Sequence, residues 1–182
     1  QIEAYKPCNE QEEKDRELLI QWIRSGMDIV TRANETAHLT ASAWVVSPDR
    51  KHVLMAYHNI YNSWAWLGGH ADGEWNLQKV AIREVEEESG LSQVTLLQEA
   101  PVSLEILTVN GHWKRGTYVA SHLHLNVTYL MEADPRKPIR KKPNENSAVA
   151  WIPVEEIGEK STEPWFVEHI YSKLCEKTLT LQ

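Results

Sequence analysis

The feature that most constrains this chain is a helical segment whose inward face changes from apolar to acidic. Over residues 76–89 the apolar spacing is helical, and Gly90 stands where a C-terminal cap is expected. At about 100° per residue, apolar and acidic side chains fall on one stripe of this helix. The stripe consists of Leu77, Val80, Ala81, Glu84, Glu87, Glu88 and Leu91. Packing of its apolar part must carry the acids toward the protein body.

Carboxylates gathered on one inward face need a compensating charge. At neutral pH they repel one another unless a cation binds or protons are taken up at a cost. Hard divalent cations such as Mg2+ supply that charge and prefer oxygen ligands. The alternative is a solvated acidic helix end, in which Glu87 and Glu88 would oppose the helix dipole. The pattern alone leaves both interpretations open.

Strands and helices alternate around this segment. A first helix is predicted over residues 9–25, capped by Asn9, and a hairpin over 38–46 and 52–58. Further predicted strands cover 64–67, 94–97, 102–109, 122–131 and 149–152, and a closing helix covers 164–177. Helices at the start, middle and end of a strand-rich chain predict an α/β (α+β) fold, an α/β/α sandwich with a mixed sheet flanked by helices.

Composition bounds the class of protein. A chain of 182 residues with 42% hydrophobic content fits one domain, residues 1–182. The formal charge of -7 opposes binding to a nucleic-acid polymer but does not exclude a nucleotide substrate. We expect no membrane association and a cytoplasmic location, because the sequence shows neither a long apolar run nor a signal-peptide layout. Cys8 and Cys175 lie too far apart for a zinc knuckle.

Residues 69–91 resemble the Nudix box, whose family pattern is G-x5-E-x7-R-E-U-x-E-E-x-G-U, with U an aliphatic residue. The match over residues 83–91 is complete. Counting back in the family spacing puts the first glycine at Gly69 and the isolated acid at Trp75, whereas Glu74 stands one position early. The form Gly-Gly-His-Ala-Asp-Gly resembles a subgroup of loosely assigned substrate. With its flanking strands, the resemblance covers about residues 38–157.

The resemblance implies a MutT-like pyrophosphohydrolase that acts on phosphoric anhydride bonds. It implies a Mg2+-dependent reaction, with Mn2+ as the alternative ion, on the diphosphate linkage of a nucleoside diphosphate-X substrate. The implied metal ligands are Glu84, Glu87, Glu88 and the backbone carbonyl of Gly69. The implied partner is thus a small, nucleotide-like phosphorylated molecule, and a homodimer is left open.

Two further roles follow from the same resemblance. Arg83 is expected to orient the glutamates rather than to contact substrate. The general base is either Glu84 or Glu145, which lies six residues before Trp151 at a position similar to that of a loop acid in some family members. The alternative for Glu145 is an ordinary exposed loop residue.

Histidines and aromatic residues outside the box provide weaker substrate candidates. His122 and His124 share one face of a predicted strand and could meet a substrate phosphate, or they are ordinary sheet polarity. With no third ligand nearby in sequence, zinc is not favoured for this pair. His58, Tyr61 and Trp66 could stack on a flat ligand, although core packing is the commoner role of such residues.

Two other functions remain open at this point. A catalytically inactive Nudix-fold module for ligand binding or regulation would have the same fold, but the intact acidic pairs of the box count against it. An isoprenoid diphosphate isomerase would need a reactive cysteine paired with a glutamate. It ranks lower, because Cys8 and Cys175 lie near the ends of the chain.

Overall fold

A mixed sheet of eight strands organises residues 1–114 and 116–180, the part of the chain that the computed structural model describes. The strands are β1 (Ala37–Val46), β2 (His52–His58), β3 (Ser63–Ala65), β4 (Leu67–His70), β5 (Thr95–Leu96), β6 (Ser103–Val109), β7 (His112–Lys114), β8 (Thr117–Val119), β9 (His122–Glu132) and β10 (Asn146–Pro153). The helices are α1 (Glu10–Arg24), α2 (Leu77–Ser89), α3 (Ile157–Lys160), α4 (Pro164–Phe166) and α5 (Ser172–Thr180), with a π-helical turn (Val167–Tyr171) between α4 and α5. The predicted domain span of 1–182 extends two residues beyond this part and stays a prediction.

Strand β1 lies at the centre of the sheet. It pairs in parallel with β9 over its whole length and antiparallel with β4 and β2 at its other edge. The order is β10-β2-β1-β9-β5, with β3 paired to β2 and β6 paired to β9, while β7 and β8 form a separate hairpin. The glycine-rich strand β4 is therefore an immediate neighbour of the central strand.

Helices cover both faces of the sheet. Helix α2 packs on one face of the sheet, where its Val85 shares an apolar core with Leu39 and Ala41 of β1. The C-terminal helices pack on the opposite face, where Trp44 and Tyr171 belong to a second core. With both faces covered, every position of β1 is buried. The predicted α/β/α sandwich is confirmed.

The two long helices begin and end as predicted. The Asn9 side chain accepts a hydrogen bond from Glu12 N at 2.9 Å, and Asn76 caps α2 by accepting from Lys79 N at 3.1 Å. Gly90 ends α2 in the left-handed conformation, with φ of 75°. Within the described residues, no helix combines the length and apolar character needed to cross a bilayer.

Three local features differ from the expectations. The strand predicted over 64–67 is two strands, because β3 pairs with β2 whereas β4 pairs with β1, and the chain changes partner at Trp66. The β7–β8 hairpin was not predicted, since its strands have three residues each and lack a periodic pattern. The closing helix is present but contains the π-helical turn.

Candidate active site

Two of the three glutamates that the resemblance implies as metal ligands are buried against strand β4. Glu84 is 8% exposed and Glu88 is 5% exposed. The Gly68 amide donates to Glu88 Oε2 at 3.0 Å. A β-carbon at Gly69 would stand 2.5 Å from Glu84 Cδ, so the carboxylate occupies the space that glycine leaves open. The apolar half of the α2 stripe has thus carried these two acids inward, as expected.

Glu87 lies at the mouth of the site rather than inside it. Its side chain is 44% exposed, which departs from the expectation that all three acids face inward, because it projects from the solvent-facing flank of the stripe. Lys142 Nζ lies 2.8 Å from Glu87 Oε2 and 3.0 Å from Glu145 Oε2. The structure therefore brings Glu145 to the box through a shared lysine.

Arg83 braces the cluster from the side. Its Nη2 donates to the His70 carbonyl at 3.0 Å and to Glu84 Oε1 at 2.9 Å. Its Nε is 3.8 Å from Glu87 Oε1. These contacts tie α2 to the end of β4 and hold one oxygen of Glu84 in place. Such a geometry suits the orienting role that the resemblance implies for Arg83.

The buried acids attract positive charge. Burial raises the pKa of Glu88 to about 8, opposed by the Gly68 hydrogen bond and reinforced by Glu84 and Glu145. Burial likewise raises the pKa of Glu84 against the pull of Arg83. Burial alone would lower the pKa of Lys142, but its bonds to Glu87 and Glu145 raise it instead. The carboxylates need a cation to balance their charge, and the Lys142 ammonium already lies among them. Such a group of oxygen donors fits a hard divalent ion.

The loop between β9 and β10 is anchored to the end of α2. Arg140 N donates to Ser89 O at 2.8 Å, and Asn146 Nδ2 donates to Glu88 O at 3.1 Å. The Asn146 side-chain oxygen Oδ1 in turn accepts from Lys142 N at 3.0 Å. Asn146 was not among the predicted site residues. No local pattern marks its contact with α2, because Glu88 lies 58 residues away along the chain.

Glu74 has a local structural role. Its carboxylate accepts from Asn76 N at 2.9 Å and pairs with Lys79 at 3.2 Å, at the exposed start of α2. Trp75, which stands where the family pattern has an acid, is 64% exposed. The one-residue offset from the family pattern therefore falls where the loop joins the helix.

The aromatic candidates are divided between two places. The His58 and Tyr61 rings lie 4.6 Å apart, and the adjacent Asn59 N donates to the Glu145 carbonyl at 3.1 Å. This pair thus borders the loop that carries Glu145. Trp66 packs edge-on against Phe166 and Tyr171 in the second core, which accounts for it without a ligand.

His122 and His124 belong to a larger group than expected. Their rings lie 4.9 and 5.2 Å from the ring of His38, and His70 is 5.0 Å from His124. We call His38, His70, His122 and His124 the histidine cluster. No third ligand stands near the pair in sequence, but sheet pairing places His38 and His70 beside it. Burial lowers the pKa of His70 to about 3 and that of His124 to about 2, so both rings are neutral at pH 7.

The contact between Gly69 and Glu84 makes a direct prediction. In Gly69→Ala the new methyl group must displace the Glu84 carboxylate, which is the movable end of a side chain. We expect turnover to fall about tenfold or more while the protein stays folded. Product formation and thermal unfolding measure the two effects. Gly158→Ala is the matched control, since its β-carbon would meet Val167 at an ordinary 3.7 Å. Wild-type turnover in Gly69→Ala would contradict the prediction.

A glycine-bearing strand packed on two buried helix glutamates, inside an α/β/α sandwich, defines the Nudix class of fold and site. A family model for the NUDIX domain matches residues 36–174. The chain therefore belongs to the NUDIX family, and it is accordingly a pyrophosphohydrolase that acts on phosphoric anhydride bonds. No curated protein matches the chain.

Solved structures share the fold at low sequence identity. The chain is similar to a Nudix hydrolase from M. smegmatis, RenU, with a TM-score of 0.57, 18% identity, and coverage of 80% of this chain and 88% of that one. It is similar to the C. elegans Ap4A hydrolase in a binary complex, with a TM-score of 0.55, 18% identity, and coverage of 78% and 95%. It is also similar to the NUDIX domain of Shewanella oneidensis NrtR complexed with ADP ribose, with a TM-score of 0.54, 15% identity, and coverage of 88% and 96%.

Proposed function

We propose that this protein is a Mg2+-dependent hydrolase that cleaves the diphosphate linkage of a nucleoside diphosphate-X substrate. The observation that carries the proposal is the meeting of Glu84 and Glu88, both buried on α2, with the Gly68–Gly69 stretch of β4. Two carboxylates held in a poorly solvated place at neutral pH are costly unless they serve a cation.

Four groups would hold the ion: the carboxylates of Glu84, Glu87 and Glu88 and the backbone carbonyl of Gly69. When bound, Mg2+ supplies positive charge to the diphosphate oxygens and to the attacking water. Mn2+ offers the same octahedral oxygen chemistry. Arg83 keeps one Glu84 oxygen fixed, so the ligand geometry is set before substrate arrives.

Glu145 is the favoured general base. Its side chain is 40% exposed, whereas that of Glu84 is 11% exposed and already accepts from Arg83. An accessible carboxylate near the box can take the proton of the attacking water, and Glu84 is the alternative. Lys142 bridges Glu87 and Glu145. It can contact the substrate phosphate when the loop between β9 and β10 changes position.

The substrate class rests on two further considerations. The structural relatives include a hydrolase of Ap4A and a domain complexed with ADP ribose, both nucleotide-like molecules with linked phosphates. The His58–Tyr61 pair lies beside the Glu145 loop and offers aromatic faces for a base. We propose that a nucleotide base or another flat group lies there, with the diphosphate at the carboxylates.

Product analysis on a panel of substrates tests this function, because cleavage of a nucleoside diphosphate-X linkage by water gives a nucleoside monophosphate and an X-phosphate. The panel contains nucleoside, dinucleoside, sugar and isoprenoid diphosphates, each assayed with Mg2+, with Mn2+ and with a chelator. We expect at least one nucleotide-linked diphosphate to be cleaved to its two monophosphate products, dependent on the metal ion. No metal-dependent turnover on any substrate would favour the inactive binding module instead.

Isomerisation of an isoprenoid diphosphate is the third outcome of the panel. It would show as an isomeric product whose diphosphate linkage is intact. Both thiols are poorly suited to it, because burial raises the pKa of Cys8 and raises that of Cys175 to about 11.

A further inference from the structure

The histidine cluster draws imidazoles from three adjacent strands. Strand β1 lies between β4 and β9, with His38 opposite His124 in one pairing and Thr40 opposite His70 in the other. Opposed residues, and residues two apart on a strand, share a face of the sheet. All four members of the cluster therefore project from the same face. Register alone brings them together, since 86 residues separate His38 from His124 in the sequence.

Nitrogen positions in the cluster approach those of a metal site. One ring nitrogen from each of His38, His70 and His124 lies within 4.8 Å of the other two. His122 Nε2 is 3.2 Å from His124 Nε2. Two imidazole nitrogens on one tetrahedral Zn2+ are about 3.3 Å apart, given Zn–N bonds of roughly 2.0–2.1 Å. A small movement of the rings is enough to close the set around one ion.

Backbone carbonyls fix the proton on two of the rings. His38 Nδ1 lies 3.0 Å from Asn34 O, and His122 Nδ1 lies 2.8 Å from Ala120 O. A carbonyl only accepts, so each Nδ1 carries the proton and each Nε2 keeps its lone pair. Metal-bound histidines in proteins show this arrangement, in which the outer N–H is held by a carbonyl while the inner nitrogen faces the ion.

His38 Nε2 is the most informative atom of the cluster. His38 is 4% exposed, and this nitrogen has no hydrogen-bond partner among the described residues. Buried polar atoms are nearly always satisfied, and an unsatisfied acceptor beside three other imidazoles calls for a donor or an ion. The nearest rings offer further lone pairs, which a divalent cation satisfies together.

We propose that His38, His70 and His124 form a binding site for a divalent transition-metal ion of the zinc class, with His122 as the adjoining fourth nitrogen. Neutral imidazole suits Zn2+ and related borderline ions, whereas Mg2+ prefers oxygen. Three histidines leave a tetrahedral ion one further position, for His122 or for a ligand oxygen.

This site is separate from the carboxylates and does not depend on the proposed hydrolysis. Gly69 faces Glu84 on α2, and His70 is the next residue of the same strand. Successive strand residues point to opposite faces, so the two sites lie on opposite sides of β4. The two sites would also select different ions, because carboxylates prefer hard cations and imidazoles prefer borderline cations.

Zinc binding by the full chain tests the proposal. Protein stripped with a chelator is titrated with ZnCl2 alone, and bound metal is measured after gel filtration. We expect one tightly held Zn2+ per chain. His70→Gln and His124→Gln should each weaken its binding about a hundredfold or more. His169→Gln, a histidine outside the cluster, and Glu87→Gln should keep that equivalent.

A second measurement is made on the wild-type protein. The X-ray absorption spectrum of wild-type protein with one equivalent of zinc should show a nitrogen shell with the scattering pattern of imidazole rings. An oxygen-only shell, loss of the ion in Glu87→Gln, or its retention in folded His124→Gln would each overturn the site. Absence of zinc binding to the folded wild type would overturn it as well. None of these outcomes alters the Mg2+ assay, so the two proposals fail independently.

Discussion

Glu87→Gln is expected to lower turnover about a hundredfold or more while leaving the fold intact. The substitution keeps the size of the side chain but removes the charge at the mouth of the carboxylate cluster. Because Glu87 is 44% exposed and contacts only partly exposed cations, its loss should change the free energy of unfolding by no more than about 0.5 kcal/mol. Steady-state formation of the monophosphate products across a Mg2+ titration, with chemical denaturation, measures both effects.

Glu86→Gln is the matched control for this experiment. Glu86 is the preceding residue of the same acidic run, is exposed, and has no ion pair within the described part of the chain. It should retain wild-type turnover. A role of Glu87 as metal ligand further requires that the residual activity of Glu87→Gln need more Mg2+ for half-saturation. Turnover equal to that of Glu86→Gln would remove Glu87 from the site.

The helix that carries the site could be predicted because its signals are local. The apolar spacing of α2 and the terminal Gly90 act within one segment, and the structure reproduces both of them. The burial of Glu84 and Glu88 follows from the same periodicity. The exposure of Glu87 does not follow from the periodicity, because it depends on which neighbouring segments cover that side of α2.

Contacts between distant segments could not be predicted in the same way. The bridge from Lys142 to Glu87 spans 55 residues, and the anchoring of Asn146 to Glu88 spans 58. The histidine cluster depends on strand register, because a one-residue slip would turn His124 to the other face of the sheet. Local periodicity predicts the helices and strands, whereas strand pairing decides which distant side chains come into contact.

The N-terminal helix shows how a segment outside the matched region is held to the fold. The family match begins at residue 36, whereas α1 ends at Arg24. Glu12 on α1 is fully buried and lies 3.1 Å from Lys173 Nζ on α5. It also contacts Lys177 and accepts from Ser103 Oγ at 2.9 Å. One buried carboxylate therefore joins α1, the sheet and the last helix.

Glu12→Gln is expected to lower the free energy of unfolding by about 3 kcal/mol at pH 7. The change leaves the buried ammonium of Lys173 without its nearest counter-charge, and the next ion pair that Lys173 makes in the described part of the chain is with Glu105, at 3.6 Å. Urea denaturation measures the loss. Glu13→Gln, the next residue along the same helix and exposed, is the control and should change stability by less than about 0.5 kcal/mol.

The pH dependence of the stability difference between wild type and Glu12→Gln distinguishes the contribution of the Glu12 charge from that of its packing. Burial alone would raise the pKa of Glu12, but the hydrogen bond from Lys177 and the charge of Lys173 lower it to about 2. A carboxyl whose pKa is lower in the folded state stabilises the fold above its unfolded pKa, and that stabilisation is lost as the pH falls toward the folded pKa. The difference between wild type and Glu12→Gln should therefore shrink steadily from about pH 5 to about pH 2. A difference that stays constant over this range would mean that Glu12 stabilises the protein through shape alone, and that the N-terminal helix is held by packing rather than by its buried ion pair.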